Sequence, residues 1–422
     1  MDKRLISDSE WLSDEGLQRL LAILSDDGEK ARVVGGAVRN TLLGQPVTDI
    51  DIATTTEPRE TTRRARKAGF RTAPTGFDHG TVTVIADHHA YEVTTLRADV
   101  ETDGRRASVT FGRDWQSDAA RRDFTINALY ADADGTVVDL VGGLADLESR
   151  TLRFIGDAET RIREDYLRIL RFFRFFAWYG DGRPDAAGLK ACARLKDGLE
   201  RLSAERVWAE LKKLFAAPDP SRALLWMRQT GVLTKVLPES EKWGIDAIPS
   251  LMETERALGW APEPLMRLAA IIPPDAGRVE QMAKRLRLSR AETTALTAWA
   301  LAPVPASDLG EADFRKLAYR VGVNGLSWRL KLALVSARGR AVTDDAALTE
   351  AAGFARLLKL CEGWRKPVFP LSGNDLADLG LKPGKQLGAA LSALESEWID
   401  TDFTMKRDAL LQRAAQMLEG RR

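Results

Sequence analysis

Residues 33–56 read VVGGAVRNTLLGQPVTDIDIATTT, and this stretch is the most informative part of the chain because it combines two signals. A short apolar strand runs into the pair Gly35-Gly36, and a helix-like run then leads to a second apolar run that carries Asp49 and Asp51. Side chains alternate between the two faces of a strand, so we expect both carboxylates on one face and the isoleucine between them toward the core. Because glycine has no side chain, the turn lets backbone N–H groups approach a phosphate closely.

The two acids predict a metal site. Carboxylates side by side repel each other unless a cation lies between them, so the pattern indicates a divalent metal. With the glycine turn, it predicts a metal-held nucleoside triphosphate. Taken singly, a D-x-D is more often two solvated acids at a strand end, and a Gly-Gly pair is most often a turn. The two signals in strand–helix–strand order are far more specific.

This order resembles the opening motif of the tRNA nucleotidyltransferase and bacterial poly(A) polymerase family, within the DNA polymerase β superfamily. The family usually has Asp directly after the Val-Arg of this motif, whereas this chain has Asn40. The change removes one negative charge near the predicted site but leaves both acids of the D-x-D in place. The resemblance implies triphosphate contacts at Gly35, Gly36 and Arg39.

The composition restricts the class of protein. A chain of 422 residues with 44% hydrophobic residues is expected to form two to four domains. The formal net charge is only +1, so a nucleic-acid partner needs segregated basic patches. Cys192 and Cys361 form no metal-binding or disulfide pattern, which fits a reducing compartment. The N-terminus is not typical of a signal peptide, and no apolar run is long enough to cross a membrane, so we expect a cytoplasmic protein of undetermined oligomeric state.

The segment after the D-x-D contains a predicted hairpin with a third acid. Residues 57–69 predict a basic helix, which is either a solvated face or a nucleic-acid contact. Residues 80–85 and 90–96 predict two paired strands. Glu92 lies between apolar neighbours in the second strand and is either an edge-facing residue or a third acid of the metal site. The superfamily resemblance favours the second interpretation. Residues 98–120 predict a long polar loop.

Residues 121–128, RRDFTINA, are the second informative motif. By themselves they could be an ordinary ion-paired loop, but the string resembles the second motif of the same family. The resemblance implies that Asp123 and its arginines, Arg121 and Arg122, contact the ribose and phosphates of the nucleotide, and that Asn127 also binds the nucleotide. Asp139, Gly142-Gly143 and Arg150 resemble the third motif, which implies a hinge between a catalytic head and the helical remainder.

Residues 164–176, EDYLRILRFFRFF, predict one amphipathic helix. Glu164, Arg168 and Arg171 share a face of it, and Asp165 lies at the edge of that face. An ordinary helix with an ion pair four residues apart is one interpretation. The spacing of these residues also resembles the fourth motif of the family, which implies that Asp165 and Arg168 contact the nucleotide base and that Arg171 either supports them or reaches a phosphate.

A physical argument supports that role for Asp165 and Arg168. Cytosine and adenine each present an amino donor beside a ring-nitrogen acceptor, which a carboxylate and a guanidinium can complement together. Guanine and uracil present the opposite order and would leave buried groups unpaired, which polar sites reject strongly. Protein side chains could therefore select CTP and ATP without a nucleic-acid template.

Helices dominate from about residue 161 onward. Residues 203–216, 278–287 and 311–321 predict helices with no recognisable motif. Residues 369–391 predict short helices around Gly-Leu-Lys-Pro-Gly. These form either a structural hairpin or a contact to an RNA phosphate.

We therefore predict an α+β protein whose head has a mixed, mainly antiparallel sheet and whose remainder is helical. The predicted parts are a nucleotidyltransferase head at 1–150, a neck at 151–235, a body at 236–355 and a tail at 356–422. The resemblance implies a bacterial-type (class II) CCA-adding enzyme that extends the tRNA 3′ end from CTP and ATP, with two Mg²⁺ ions held by Asp49 and Asp51. A poly(A) polymerase, a CC-only or A-only enzyme and a non-catalytic RNA-binding protein remain alternatives.

Overall fold

A computed structural model of the chain describes residues 5–74, 76–77, 80–86, 89–98, 110–241 and 245–419. The chain divides into two compact units. The first comprises Met1–Ser203 and Arg222–Val236, and the second comprises Ala204–Ser221 and Leu237–Arg422. The four-part division into head, neck, body and tail stays a prediction.

The first unit contains a mixed sheet. Among the described residues it has seven strands in the order β3-β4-β5-β2-β1-β8-β9, and only β2 and β5 run parallel. The prediction of a mixed, mainly antiparallel sheet is confirmed. Strands β6 and β7 pair separately. The bounds are β1 Ala31–Val34, β2 Asp51–Thr54, β3 Arg71–Ala73, β4 Thr81–Ala86, β5 His89–Thr95, β6 Arg97–Ala98, β7 Thr110–Phe111, β8 Leu129–Ala131 and β9 Val137–Asp139.

Among the described residues, eight α-helices lie between Glu15 and Leu195 together with this sheet, and local sequence signals account for their ends. The Asp14 side chain accepts the Leu17 N–H at the start of the first helix, whose leucines are buried. Pro58 begins the third helix, as predicted. The bounds are α1 Glu15–Leu24, α2 Gly36–Leu42, α3 Pro58–Lys67, α4 Trp115–Arg121, α5 Gly143–Glu148, α6 Ala158–Glu164, α7 Leu167–Tyr179 and α8 Ala186–Leu195.

The remaining chain is helical, as predicted. The helices expected at 203–216, 278–287 and 311–321 are all present, and the two expected in the tail flank the Gly-Leu-Lys-Pro-Gly turn. The bounds are α9 Ala204–Phe215, α10 Ser221–Gln229, α11 Val232–Val236, α12 Ala247–Leu258, α13 Pro264–Ala269, α14 Ala276–Leu286, α15 Arg290–Leu301, α16 Glu311–Val321, α17 Val323–Arg340, α18 Asp345–Glu362, α19 Gly373–Asp378, α20 Lys385–Asp400 and α21 Arg407–Glu419.

The loop predicted at 98–120 is only partly correct. Helix α4 occupies its end, because the Asp114 side chain accepts the N–H groups of Gln116 and Ser117 and so starts a helix there. Residues 99–109 of this prediction lie outside the described residues.

The single helix predicted at 164–176 is wrong. The chain forms α6 and α7 with a break at Asp165, whose backbone is extended (φ −154°, ψ 108°). The Asp165 side chain accepts the Leu167 N–H at 3.1 Å. Aspartate competes with helical hydrogen bonds in this way, and the periodicity of apolar residues does not reveal it.

Strand β2 is shorter than the sequence predicted. It begins at Asp51, so Asp49 and Ile50 precede it, and Ile50 is half-buried rather than in the core. The physical reason is that Asp51 pairs with Val34, the last residue of β1, before the chain turns at Gly35. Beyond that point β1 offers no backbone partner to Ile50.

Candidate active site

Three acidic side chains lie at one end of the sheet. Asp51 pairs in register with Glu92 on the parallel neighbour β5, and Asp49 precedes Asp51 by two positions. Burial raises the pKa of Asp51, the negative charges of Glu92 and Asp49 raise it further, and Arg122 opposes the shift. This arrangement concentrates negative charge, which a bound cation would relieve.

The donor set fits a divalent ion shared with a substrate. In the described part of the chain, no group of three or more His, Cys, Asp or Glu side chains is arranged to hold a metal by itself. Mg²⁺ is commonly bound through one or two carboxylates, with phosphate oxygens and water completing its shell. Asp49 and Asp51, with Glu92 beside them, match that pattern.

The glycine turn lies next to these acids because Gly35 directly follows the residue paired with Asp51. Gly35 has a φ of 74°, which L side chains rarely adopt. A Cβ there would lie 3.4 Å from the Asn127 carbonyl oxygen and 3.9 Å from Nη1 of Arg122. The turn therefore packs closely against the segment 121–128.

Asp123 is the centre of a buried hydrogen-bond network. One carboxylate oxygen accepts the Phe124 N–H and the Asn127 side-chain amide, both at 2.9 Å, and the other accepts Nε of Arg171 at 2.8 Å. Burial alone would raise the pKa of Asp123, but Arg171 and these hydrogen bonds hold it below its ordinary value. The carboxylate is therefore ionised and directed at protein partners.

Arg122 and Arg39 are also held by protein groups. Arg122 donates to the Asp118 carboxylate at 3.1 Å and to the Tyr130 hydroxyl at 3.3 Å. Arg39 is only 6% exposed and lies under the glycine turn, where its guanidinium contacts the Asn127 side chain. The structure thus places both arginines beside the turn, with Arg39 buried and the Arg122 side chain 27% exposed.

The fourth motif is joined to the second motif through Arg161. Nη1 of Arg168 donates to the Glu164 carboxylate and, at 2.7 Å, to the Arg161 carbonyl. The Arg161 guanidinium in turn donates to Glu164 and to the backbone carbonyls of Arg121 and Arg122. Glu164 and Arg168 are therefore brought together with the segment 121–128, and Asp165 lies between α6 and α7.

Sequence reasoning missed Arg161, Asp118, Tyr130 and Tyr179. The position of Arg161, three residues before Glu164, was a usable signal, because residues at this spacing face each other on a helix. The other three carry no local signal, since their partners are distant in sequence.

The third motif packs against the second. The Asp139 carboxylate accepts four backbone N–H groups, those of residues 141–144. A Cβ on Gly143 would lie only 2.3 Å from the Thr125 carbonyl oxygen, so glycine is required there. This explains the motif by close packing, and its role as a hinge stays a prediction.

Two arginines of the basic helix α3 are paired with neighbouring protein groups. Arg63 and Arg64 both bind Glu60, and Arg64 also donates to the carbonyls of Ile23 and Asp26. These contacts favour the interpretation as an ion-paired surface helix.

Comparison with known proteins identifies the family to which this chain belongs. Residues 31–153 match the family described as "Poly A polymerase head domain", and residues 185–243 match "Probable RNA and SrmB- binding site of polymerase A". The chain is 34% identical to the mouse protein named "CCA tRNA nucleotidyltransferase 1, mitochondrial", with 95% of this chain and 90% of the relative covered. The chain belongs to the CCA-adding tRNA nucleotidyltransferase family. It is therefore a nucleotidyltransferase, and enzymes of this family use divalent metals.

Bacterial members of the CCA-adding family support the assignment. The CCA-adding enzyme of Limosilactobacillus fermentum is 32% identical, with 96% of this chain and 97% of the relative covered. The crystal structure of the Bacillus stearothermophilus CCA-adding enzyme with CTP superposes with a TM-score of 0.71 at 25% identity, covering 96% and 98% of the two chains. The predicted fold class is confirmed. None of the helices in the described part of the chain has the length and apolar character that a membrane crossing requires.

Proposed function

We propose that this chain adds C, C and A in turn to the 3′ end of tRNA, with CTP and ATP as substrates and Mg²⁺ as the divalent ion. The observation that carries the proposal is the pairing of Asp51 with Glu92 directly beside the Gly35 turn, in a chain that covers almost the full length of CCA-adding relatives. The carboxylates that we propose to bind the metal are thus adjacent to the turn that we propose to bind phosphate.

Asp49 and Asp51 would hold the metal, and Glu92 would act beside them as the third acid. When bound, divalent ions make the 3′-hydroxyl a better nucleophile toward the α-phosphate and stabilise the departing pyrophosphate. The chain's own part is to place the triphosphate: Gly35 and Gly36 leave room for it, and Arg122 supplies positive charge close to Asp51. Asp123 would hold Asn127 and Arg171 in position rather than contact phosphate.

Base choice would depend on Asp165 and Arg168. Glu164 and the Arg161 carbonyl hold the Arg168 guanidinium, so its donors have a defined direction before a nucleotide arrives. Preorganised donors discriminate well because a mismatched base leaves them unpaired. We expect Arg168→Ala to increase misincorporation of UTP and GTP relative to CTP and ATP. Unchanged discrimination would remove Arg168 from the selecting role.

The decisive assay supplies labelled CTP or ATP with Mg²⁺ to tRNAs that end before CCA, after C and after CC, and to an unstructured RNA. Ordered addition of C, C and A that then stops would establish the proposal. Long A tails on unstructured RNA would favour a poly(A) polymerase, and addition of only CC or only A would mark a partial enzyme. No incorporation would favour a binding protein.

The metal assignment has its own test. Asp49→Ala and Asp51→Ala should each abolish incorporation while tRNA still binds in a filter assay. Retained turnover in either variant would overturn the assignment of that residue.

We further propose that the protein acts in the cytoplasm. The two cysteines are free thiols in the described structure, which fits a reducing compartment. Because some relatives are named mitochondrial, localisation of a tagged chain is the direct test.

A further inference from the structure

Arg39 has an unusual environment for a buried cation. Its guanidinium donates to the Tyr179 hydroxyl at 2.8 Å, to the Asn40 side-chain oxygen at 3.0 Å and to the Asn127 side-chain oxygen. It also lies 4.0 Å from the centre of the Tyr179 ring and 5.4 Å from that of Phe175. These partners are amide oxygens, one hydroxyl and two aromatic rings.

No carboxylate forms an ion pair with Arg39 among the described residues. Asp123 is the carboxylate whose charge acts on Arg39, and it is already paired with Arg171. Buried charges are usually paired, because an unpaired charge in a region of low dielectric is costly. Arginine stays protonated even so, and Arg39 therefore keeps its positive charge.

Asn40 provides an uncharged acceptor to this cation. The amide oxygen of Asn40 accepts Nε and Nη2 of Arg39, at 3.2 Å and 3.0 Å. An aspartate at this position would offer a carboxylate to the same guanidinium. In this chain the Asn40 amide also donates to the Pro46 carbonyl at 2.9 Å, a bond that a carboxylate cannot make.

The charge lies close to the place where we expect the triphosphate. A Cβ on Gly36 would be 3.8 Å from Nη2 of Arg39, so the guanidinium is directly behind the glycine turn. A positive charge in a partly desolvated position attracts a polyanion more strongly than an exposed one does.

We propose that Asn40 leaves Arg39 as an uncompensated positive charge behind the Gly35–Gly36 turn, that this charge strengthens binding of the nucleotide triphosphate, and that Tyr179 is the positioning residue that holds it there. The inference rests on the proposed function, because it takes this turn as the triphosphate site. It adds a role for the departure at Asn40 and a residue, Tyr179, at the far end of α7.

The central experiment compares Asn40→Asp with Asn40→Ala. Both variants lose the bond to Pro46, but only the aspartate adds a negative charge beside Arg39. Dissociation constants for CTP and CMP are measured by equilibrium binding in Mg²⁺. We expect the affinity of Asn40→Asp for CTP to be roughly three- to tenfold weaker than that of Asn40→Ala, with a smaller difference for CMP, which lacks the β and γ phosphates. Equal CTP affinities would overturn the inference.

The same comparison in an Arg39→Gln background assigns the effect to that guanidinium. Without the cation, the difference between the aspartate and alanine variants should disappear, and a difference that persists would mean that the Asn40 charge acts elsewhere. If Arg39→Gln does not fold, the comparison at Asn40 in the wild-type background still decides.

Tyr179→Phe tests the positioning residue. It keeps the ring over Arg39 and removes only the hydroxyl, so CTP should bind roughly two- to fivefold more weakly, while CMP is less affected. Tyr91→Phe is the matched control, because the Tyr91 hydroxyl bonds Asp14 on another part of the same unit. An equal effect of both changes would overturn the role of Tyr179. Failure of the wild-type chain to bind CTP would instead overturn the proposed function itself.

Discussion

Two arginine–carboxylate pairs, one in each unit, differ in how far they are closed off from solvent. In the second unit, the side chains of Arg267 and Glu255 are only 1% and 5% exposed. Arg267 also donates to the carbonyls of Phe215 and Ala217, so its guanidinium is surrounded by protein acceptors. In the first unit, the side chains of Arg171 and Asp123 are 33% and 10% exposed.

The difference separates a structural pair from one that can take part in binding. The Arg267 pair lies inside the protein, so it can only join helices. The Arg171 pair keeps one side open, and its carboxylate is shared with Asn127 beside the glycine turn. Ion pairing alone therefore does not identify a functional arginine, whereas partial exposure beside other polar groups does.

The largest effect on the free energy of unfolding is expected at the buried pair of Arg267 and Glu255. Arg267→Met leaves Glu255 buried without its cation and two carbonyls without their donor. We expect the free energy of unfolding to fall by about 3–5 kcal/mol. Urea denaturation followed by circular dichroism measures it, and the folded variant should keep its choice of nucleotides. A loss below about 1 kcal/mol would mean that water compensates Glu255 and that the pair is not closed.

Arg171→Ala is expected to reduce stability less than Arg267→Met does, and to reduce activity more. Because Arg171 is one-third exposed, the loss of stability should be smaller, about 1–2 kcal/mol. The kcat/KM for CTP incorporation should fall roughly 10- to 100-fold, because Asp123 and Asn127 lose their orientation. Single-nucleotide incorporation kinetics provide the measurement. If stability fell as much as for Arg267→Met while turnover per folded molecule stayed normal, the two pairs would be equivalent.

The pH dependence of the free energy of unfolding tests whether Asp123 is ionised in its pair with Arg171. Its pKa is lowered in the folded state, so ionised Asp123 stabilises the fold above the ordinary value of 3.8, and this stabilisation is lost as the pH falls through the lowered value. Asp123→Asn lacks this titration. The difference in unfolding free energy between wild type and variant should therefore narrow as the pH falls below about 4. A difference that stays constant down to pH 2 would contradict the lowered pKa.

The smallest effect on the free energy of unfolding is expected at the pair of Lys212 and Glu292. Lys212 and Glu292 are 2.7 Å apart, and their side chains are 52% and 12% exposed, so the Lys212 ammonium is in contact with solvent. Lys212→Ala should change the free energy of unfolding by about 0.5 kcal/mol or less, since exposed pairs are screened by water and salt. A loss of unfolding free energy comparable to that of Arg267→Met would show that side-chain exposure does not predict how much each ion pair stabilises the fold.

Local patterns predicted much of the fold and named most of the candidate site. The hairpin that carries Glu92, the helix after Pro58 and the helical second half all follow from periodicity and from residues that start or stop helices. The break at Asp165 and the short β2 did not follow. Both depend on where one side chain or one neighbouring strand supplies a hydrogen bond, and periodicity carries no such information.

The amino-acid sequence alone determined the chemistry that is available: two acids around an isoleucine, a glycine pair before them, and arginines at recognisable spacings. Which of these groups come into contact depends on the tertiary structure. It joins Arg171 to Asp123 across 48 positions and Arg39 to Tyr179 across 140. Contacts over such separations depend on how sheet and helices pack together, so a charge that looks available in the sequence can be occupied in the fold, and a buried one such as Arg39 can remain uncompensated.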